Sequence, residues 1–260
     1  MDCSYPLPQP VAVLAITRHG LALAGRILSA LPAARLFAPD KLCEDAQAVA
    51  LDRTVCFSGS TGAQIGPLFT EFQAIVAIFS LGILVRLIAP HLRDKTRDPA
   101  VVVLDEAGRH VIPVLSGHLG GANALALHLG RALGAAPVLT TASDVRETLA
   151  VDLLGRELGW TLEADKQALL TASAAVVNDE PVALVQEAGI RDWWHGHAGG
   201  RIGPLPENIR VLPRVEDLDT GRYSALLWIS LRPLEALWPV LGAAFSGRLI
   251  LYRPPRMEDR

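Results

Sequence analysis

A continuous run of apolar residues at positions 74–80, AIVAIFS, constrains the fold of this 260-residue chain more than any other feature. A strand without polar alternation must be covered on both faces, which is typical of parallel sheets flanked by helices. Similar short runs recur along the first half of the chain, separated by segments with the 3.6-residue apolar spacing of helices. We therefore predict an α/β fold with an open, mostly parallel, Rossmann-like sheet as the middle of three layers.

The same patterns predict two domains. In residues 1–145, strands are predicted at 11–16, 54–57, 74–80, 101–105, 110–115 and 137–141, and helices at about 20–31, 65–72, 85–88 and 122–133. Residues 106–109 predict a hairpin between two of these strands. In residues 146–260, helices are predicted near 149–158 and 166–177, and strands at 182–186, 209–212, 225–231 and 249–252. We interpret this second part as a smaller α/β domain.

Charge and composition exclude several classes of protein. A net charge of -3 and only 5% aromatic residues argue against a nucleic-acid binder. The apolar run at 72–85 is too short to span a bilayer, and no basic segment precedes an apolar stretch at the N-terminus. Three cysteines form no CxxC pair and leave one over in any disulfide scheme, which is typical of a reducing compartment. We expect a cytoplasmic protein that binds neither membrane nor nucleic acid.

The segment SGHLGGAN, residues 116–123, is the most informative candidate site. It lies between a predicted strand and an amphipathic helix, where backbone N–H groups and the helix dipole attract carboxylates or phosphates. Its glycines allow a close approach of the backbone to a ligand. The alternative is a tight turn with a capping serine, and spacing alone leaves both open. The segment is neither a Walker loop nor a GxGxxG motif.

Three other strand-to-helix junctions carry polar residues. They are Thr17–Gly20, Ser80–Gly82 and TTASD at 140–144. In a parallel sheet all four junctions would open at the carboxyl edge, where such sheets bind ligands. We therefore expect them to converge on one site, although each alone is explained by a helix cap.

A basic segment follows the central strand and its helix. Residues 86–98 contain Arg86, Arg93, Lys95 and Arg97, either as a solvated loop or as a rim for an anionic ligand. His195 and His197 have no clear third partner, so no metal site is predicted.

Several motifs together resemble the cobalamin-biosynthesis protein CbiG family, known as cobalt-precorrin-5A hydrolases. They are ITRHG, LGILVRLIAPHLRDKTRDPAVVVLDEAG, LSGHLGGANALA and PVLTTASD, followed by VNDEPVALVQEAG, DWW, LPENIRVL and LYRP. The resemblance covers almost the whole chain. Full-length members of this family continue into a C-terminal domain. We therefore expect that a separately encoded protein supplies this domain and that activity depends on it. Whether the chain forms a homodimer stays open.

The resemblance implies hydrolysis of a δ-lactone on an anionic cobalt corrinoid, with release of acetaldehyde. The cobalt would arrive with the substrate, so no cofactor of the protein itself is expected. From the chemistry of this reaction, His118 is the predicted general base, Ser116 and the amides of Gly120 and Gly121 hold the oxyanion, and Asp144 orients the imidazole or acts as a second base. The predicted substrate-binding residues are Arg18, His19, Ser80, Gly82, Arg86, Arg93, Lys95, Arg97, Gly117, Gly120, Gly121, Asn123 and Thr141.

Two other functions stay open on the sequence. The chain could be a non-catalytic corrinoid-binding subunit of the same pathway. It could instead be a Rossmann-type nucleotide binder, although no acidic ribose-binding signature follows the glycine loops.

Overall fold

The computed structural model describes residues 7–94, 97–196, 203–233 and 241–255. The chain divides into two compact units between Leu139 and Thr140. Each unit is built around its own sheet, of seven and of five strands within the described residues. The predicted α/β class with an open, mostly parallel sheet in the first domain is confirmed, and the second sheet is mostly parallel as well.

The first unit alternates strands and helices. Its strands are β1 (Val11–Ala15), β2 (Arg35–Pro39), β3 (Thr54–Phe57), β4 (Ala74–Ile78), β5 (Ala100–Leu104), β6 (His110–Leu115) and β7 (Ala136–Pro137). Its helices are α1 (Arg18–Ala30), α2 (Cys43–Ala50), α3 (Thr61–Glu71), α4 (Leu81–Ile88) and α5 (Ala122–Leu133).

The strand order of the first sheet is β3-β2-β1-β4-β5-β6-β7. Alternate residues of β1 point to opposite faces, so Val11 and Val13 join one apolar core and Ala12 and Leu14 join another. Helices α1 and α5 cover the first of these faces, and α3 and α4 cover the second. The predicted three-layer arrangement is therefore present.

The hairpin between β5 and β6 reverses the chain within this sheet. The five residues 105–109 are too few for a parallel crossover, so β6 runs antiparallel to β5, and Leu115 pairs with Val101. The Asp105 carboxylate closes the turn by accepting the backbone N–H groups of Ala107, Arg109 and His110. β7 is parallel to β6. The end of β6 therefore lies at the amino edge of β5.

The second unit has a five-stranded sheet in the order β10-β9-β11-β12-β8. Its strands are β8 (Thr161–Glu163), β9 (Val182–Gln186), β10 (Ile209–Leu212), β11 (Ala225–Ile229) and β12 (Leu249–Arg253), and its helices are α6 (Ala142–Val145), α7 (Lys166–Val177) and α8 (Trp193–Gly196). Of the strands described for this sheet, β8 alone is antiparallel to its neighbour. Alternate residues of β9 again enter two cores, one on each face.

Some element predictions are wrong. Residues 149–158 were predicted as a helix, but they form turns and one 3₁₀ turn, Arg156–Leu158, between glycines with left-handed backbones. The strand predicted at 137–141 is reduced to Ala136–Pro137, because its remaining residues leave the sheet. Strand β2 and helix α2 were not predicted from the sequence.

The cysteines differ from expectation as well. Cys43, the first residue of α2, forms a disulfide with Cys56 in β3. This pair was not predicted, because the two cysteines are brought together by the β2–α2–β3 crossover and not by a short motif. Among the described residues, no helix is long and apolar enough to cross a membrane.

Candidate functional site

The predicted site residues of the first unit lie at two opposite edges of its sheet. The junctions after β1 and β4 open at the carboxyl edge of the parallel strands, as expected. The loop after β6 opens at the other edge, because β6 is antiparallel. A five-residue strand is about 17 Å long. The expectation that all four junctions converge on one site is therefore wrong.

The loop at residues 116–121, here called the His118 loop, is held by its own hydrogen bonds. The Ser116 carbonyl accepts the N–H of Ala122 at 3.2 Å, and the His118 carbonyl accepts the N–H of Gly121 at 3.0 Å. Ser116 has a left-handed backbone, with φ of 55°, which non-glycine residues rarely adopt. The loop is therefore a defined structure and not an open turn.

Two glycines of the His118 loop are required by packing. A Cβ at Gly120 would lie 2.4 Å from the Ser116 Cβ, and one at Gly117 would lie 2.7 Å from the Asn123 Oδ1. Asn123 itself is 7% exposed and donates its backbone N–H to the Gly117 carbonyl. These glycines let the loop fold back on itself.

The hydrogen bonds of the loop show which of the predicted oxyanion donors are already used within the protein. The Gly121 N–H is taken up by the His118 carbonyl, and the Ser116 hydroxyl donates to the Asp98 carbonyl at 2.8 Å. In the part of the chain that the structure describes, the Gly120 N–H makes no such bond. Gly120 is thus the predicted donor that the loop leaves available.

The basic segment ends at the same edge as the His118 loop, since Asp98 lies two residues before β5. Arg93 and Arg97 are exposed, and the Asp98 carboxylate accepts the Arg93 N–H with both oxygens at 3.1 Å. Lys95 lies outside the described residues. The predicted rim and the predicted base are therefore brought to one edge by the β5–β6 pairing.

His118 belongs to the first unit, and the predicted residues Thr141 and Asp144 belong to the second. The His118 side chain is half-buried within its loop. Thr141 precedes the short helix α6, and its carbonyl accepts the Asp144 N–H at 3.0 Å.

The opposite edge holds the other predicted substrate-binding residues. Arg18 and His19 are exposed at the start of α1, and the Arg18 Nε lies 3.0 Å from an Asp45 carboxylate oxygen of α2. Ser80 and Gly82 are exposed at the start of α4. β1 and β4 are adjacent, and their crossovers lead to opposite sides, so this is the topological switch point of the sheet.

Two further contacts define the switch point. Thr17 caps α1 by accepting the Gly20 N–H at 3.0 Å and donates its hydroxyl to the Glu106 carboxylate. Arg86 turns back along α4, and its Nη1 donates to the Gly82 carbonyl at 2.8 Å. Glu106, from the β5–β6 hairpin, was not predicted as a site residue. Its position could have been inferred from the hairpin together with the β4–β5 pairing.

The second unit contains a polar cluster that the sequence analysis missed. The Glu187 carboxylate, 13% exposed, accepts hydrogen bonds from the Trp228 indole, the Ser230 hydroxyl and the Val215 N–H at 2.8–3.1 Å. Arg232 adds an ion pair at 3.1 Å and also binds Glu216. Glu187 follows β9, and Ser230 follows β11, so the two strand ends are joined. The available signal was a charged residue directly after a buried strand.

Among the described residues, no group of three or more histidine, cysteine, aspartate or glutamate side chains could hold a metal ion. Trp193 and Trp194 are buried, with ring centroids 5.9 Å apart, as a packing element of the second unit.

Two family models match the chain. Residues 63–144 match "Cobalamin synthesis G N-terminal" (CbiG_N), and residues 149–254 match "Cobalamin biosynthesis central region" (CbiG_mid). Both models agree with the resemblance found in the sequence.

Two relatives are named cobalt-precorrin-5A hydrolase. The protein from Priestia megaterium is 42% identical over 94% of this chain and 62% of its own length. The protein from Salmonella typhimurium is 38% identical over 86% of this chain and 59% of its own length. The chain spans about three fifths of the length of these relatives.

A crystal structure of a cobalamin biosynthesis protein G homolog from Sulfolobus solfataricus also matches. It is 20% identical with a TM-score of 0.47, over 94% of this chain and 60% of that one.

Proposed function

Since the chain belongs to the CbiG family, of which it carries the N-terminal and central regions, we propose that it acts in cobalamin biosynthesis as a cobalt-precorrin-5A hydrolase. The observation that carries this proposal is 42% identity, over 94% of the chain, to a protein named for that activity. The substrate is an anionic cobalt corrinoid, and we place the reaction in the cytoplasm as a step between biosynthetic intermediates.

The reaction makes two demands on the protein. Water adds to the lactone carbonyl, which needs a general base for its proton and a hydrogen-bond donor for the oxyanion. The ring C–O bond then breaks, and a proton leaves the freed alcohol as a C–C bond breaks to release acetaldehyde. The carbon left on the macrocycle takes up a proton. The cobalt comes with the substrate, so we propose no cofactor for the chain itself.

We propose His118 as the general base for water attack. An imidazole changes charge near neutral pH, and the His118 loop holds this residue between Ser116 and Gly121. The Gly120 amide, which the loop leaves unbonded, is the proposed oxyanion donor. Asp144 and Thr141 belong to the second unit, and their parts in the reaction stay predictions from the sequence.

The acidic groups of the substrate need a cationic rim. We propose that Arg93 and Arg97 provide it, because both are exposed and are tied to the edge that carries the His118 loop. The switch-point residues Arg18, His19 and Ser80 lie at the opposite edge, so this proposal excludes them from the substrate site, together with Gly82 and Arg86.

An anaerobic assay for acetaldehyde tests the function. Cobalt-precorrin-5A is incubated with this chain, with the Priestia megaterium relative as positive control, and with the chain plus the part of that relative it does not match. We expect acetaldehyde in at least one sample that contains this chain. Its absence from both, while the relative releases it, would contradict the enzymatic function.

A binding titration distinguishes the other functions. Cobalt-precorrin-5A bound without turnover in any sample would favour a corrinoid-binding subunit. Tight binding of NAD or ATP, with no corrinoid affinity, would favour a nucleotide binder.

A further inference from the structure

We propose that Asp98 is a positioning residue that joins Arg93 and Arg97 to the His118 loop through Ser116, so that the two arginines and the loop form one preorganised unit. This inference rests on the proposed function, and it assigns Ser116 a positioning part in place of a direct contact with the oxyanion.

The Ser116 end of this connection is fixed by three contacts. Its hydroxyl donates to the Asp98 carbonyl at 2.8 Å, its own carbonyl accepts the Ala122 N–H, and Gly120 packs directly on its Cβ. A serine held at a φ of 55° is strained, and such a conformation persists only where its surroundings determine it. Ser116 thus sets the direction in which the chain enters the His118 loop.

The Asp98 end of this connection contacts the backbone at Arg93. Both carboxylate oxygens accept the Arg93 N–H, while the N–H groups of Arg97 and Asp98 donate to the Asp94 carbonyl at 2.9 Å. Asp98 therefore uses its side chain toward Arg93 and its main-chain carbonyl toward Ser116. One residue contacts both segments.

The pairing of β5 with β6 holds the two ends of the Asp98–Ser116 hydrogen bond near each other. The β5–β6 register shifts between Val101 and Val102, since Val101 pairs with Leu115 while Val102 pairs with Pro113. The extra residue, Val114, makes a bulge just before Ser116. Bulges redirect the chain and are frequent beside active sites. The bulge fixes where β6 releases the chain into the loop.

If Asp98 joins the arginines to the His118 loop, its loss should change both KM and kcat. An arginine that only binds substrate acts on KM, whereas a residue that orients the base acts on kcat. Loss of the Asp98 side chain should therefore change both. We expect Asp98→Ala to raise KM and to lower kcat by about 10- to 100-fold, as misplacement of a catalytic group does.

The variants are chosen to separate coupling from simple destabilisation. Asp98→Asn keeps one oxygen for the Arg93 N–H and should rescue most of kcat. Ser116→Gly removes the hydroxyl while accepting the left-handed backbone, so it breaks the other half of the connection without strain. The double variant should be no worse than the poorer single variant, because residues in one connection are not additive. Asp52→Ala is the matched control, because Asp52 is an exposed aspartate that belongs to neither segment.

The experiment measures acetaldehyde kinetics and amide hydrogen exchange on the full chain. We expect Asp98→Ala to speed exchange at 97–101 and at 115–123 together. Additive kcat effects, or faster exchange confined to 97–101, would overturn the coupling. If the wild-type chain and its supplemented form release no acetaldehyde, the function fails, and the exchange of the variants still decides whether the two segments are joined.

Discussion

At the scale of single residues, Glu187 shows how one half-buried carboxylate can fix two strand ends. Its oxygens accept from the side chains of Trp228, Ser230 and Arg232 and from one backbone N–H. With its acceptor positions occupied in this way, it is suited to holding structure and not to moving protons.

Replacing Glu187 by Ala should therefore destabilise the second unit. The change leaves the indole N–H of the buried Trp228 without its acceptor, and an unsatisfied buried donor costs about 1–3 kcal/mol. The ion pair with Arg232 adds less, because that side chain is 40% exposed. Urea unfolding measures this cost. Glu207→Ala, at an exposed glutamate, is the control and should change stability by less than about 0.5 kcal/mol. Equal effects of the two variants would contradict the role of Glu187.

Asp105 gives a prediction about pH. Burial raises the pKa of this carboxyl, but the hydrogen bonds from His110, Arg109 and Ala107 outweigh it and hold the pKa below its ordinary value of 3.8. A lowered pKa in the folded state contributes stability above pH 3.8, and this contribution is lost as the pH falls through the folded value.

Asp105→Asn should accordingly be less stable than wild type at neutral pH, with a gap in Tm that closes below about pH 4. Thermal unfolding between pH 7 and pH 2 measures the gap. A gap that stays constant down to pH 2 would show that the charge of Asp105 does not stabilise the hairpin.

His118 carries the chemical part of the proposal. His118→Ala should keep the fold and substrate binding while lowering kcat by about 10²- to 10⁴-fold, the usual contribution of one acid–base group. Tm, substrate affinity and kcat are measured on the same variant. A lower Tm and weaker binding with kcat within threefold of wild type would make His118 a structural residue.

At the scale of elements, continuous apolar strands were predictable, and peripheral ones were not. β4 and β5 are buried along their whole length, so their sequences show the pattern directly. β2, RLFAP, contains an arginine and a proline and only three buried residues, and α2 buries only Ala46. Such elements depend on neighbours that local periodicity does not reveal.

The candidate site was likewise only partly predictable from the sequence. The polar junctions and the β5–β6 hairpin were each predicted from the sequence. Which junctions share an edge depends on the direction of β6, and that direction separates Ser80 from Ser116. The Asp98–Ser116 bond could not be predicted, because it joins residues 18 positions apart through a bulge.

The Cys43–Cys56 disulfide stabilises one of these peripheral elements. It closes a loop that contains all of α2 and attaches it to β3 at the edge of the sheet. Linking a loop of about this length stabilises a protein by about 3 kcal/mol through the unfolded chain. Cys43→Ser should lower the free energy of unfolding by about that amount and speed hydrogen exchange in α2 and β3.

Cys3→Ser is the control for this variant and should have neither effect. Wild-type protein in excess dithiothreitol should behave like Cys43→Ser. If reduction changes neither unfolding nor exchange, the disulfide does not stabilise this element.

At the scale of the whole molecule, the seven-stranded sheet separates two polar edges that a parallel sheet would have merged. Arg93 and Arg97 lie at the edge of the His118 loop, and Arg18 and Arg86 belong to the switch-point side. All four arginines are exposed, so two matched double variants compare the edges directly.

Replacing Arg93 and Arg97 together by Ala should weaken binding of cobalt-precorrin-5A by about tenfold at low salt, which corresponds to 1.4 kcal/mol. The salt dependence of binding should also flatten, because exposed charges are screened over about 8 Å at physiological ionic strength. Replacing Arg18 and Arg86 together should leave both affinity and salt dependence near wild type, since a substrate bound at one edge cannot reach the other. Anaerobic titrations at two salt concentrations measure the affinity and its salt dependence for both double variants. Greater loss of affinity from the Arg18 and Arg86 pair would move the substrate site to the switch point, where the order of the strands alone would have placed it.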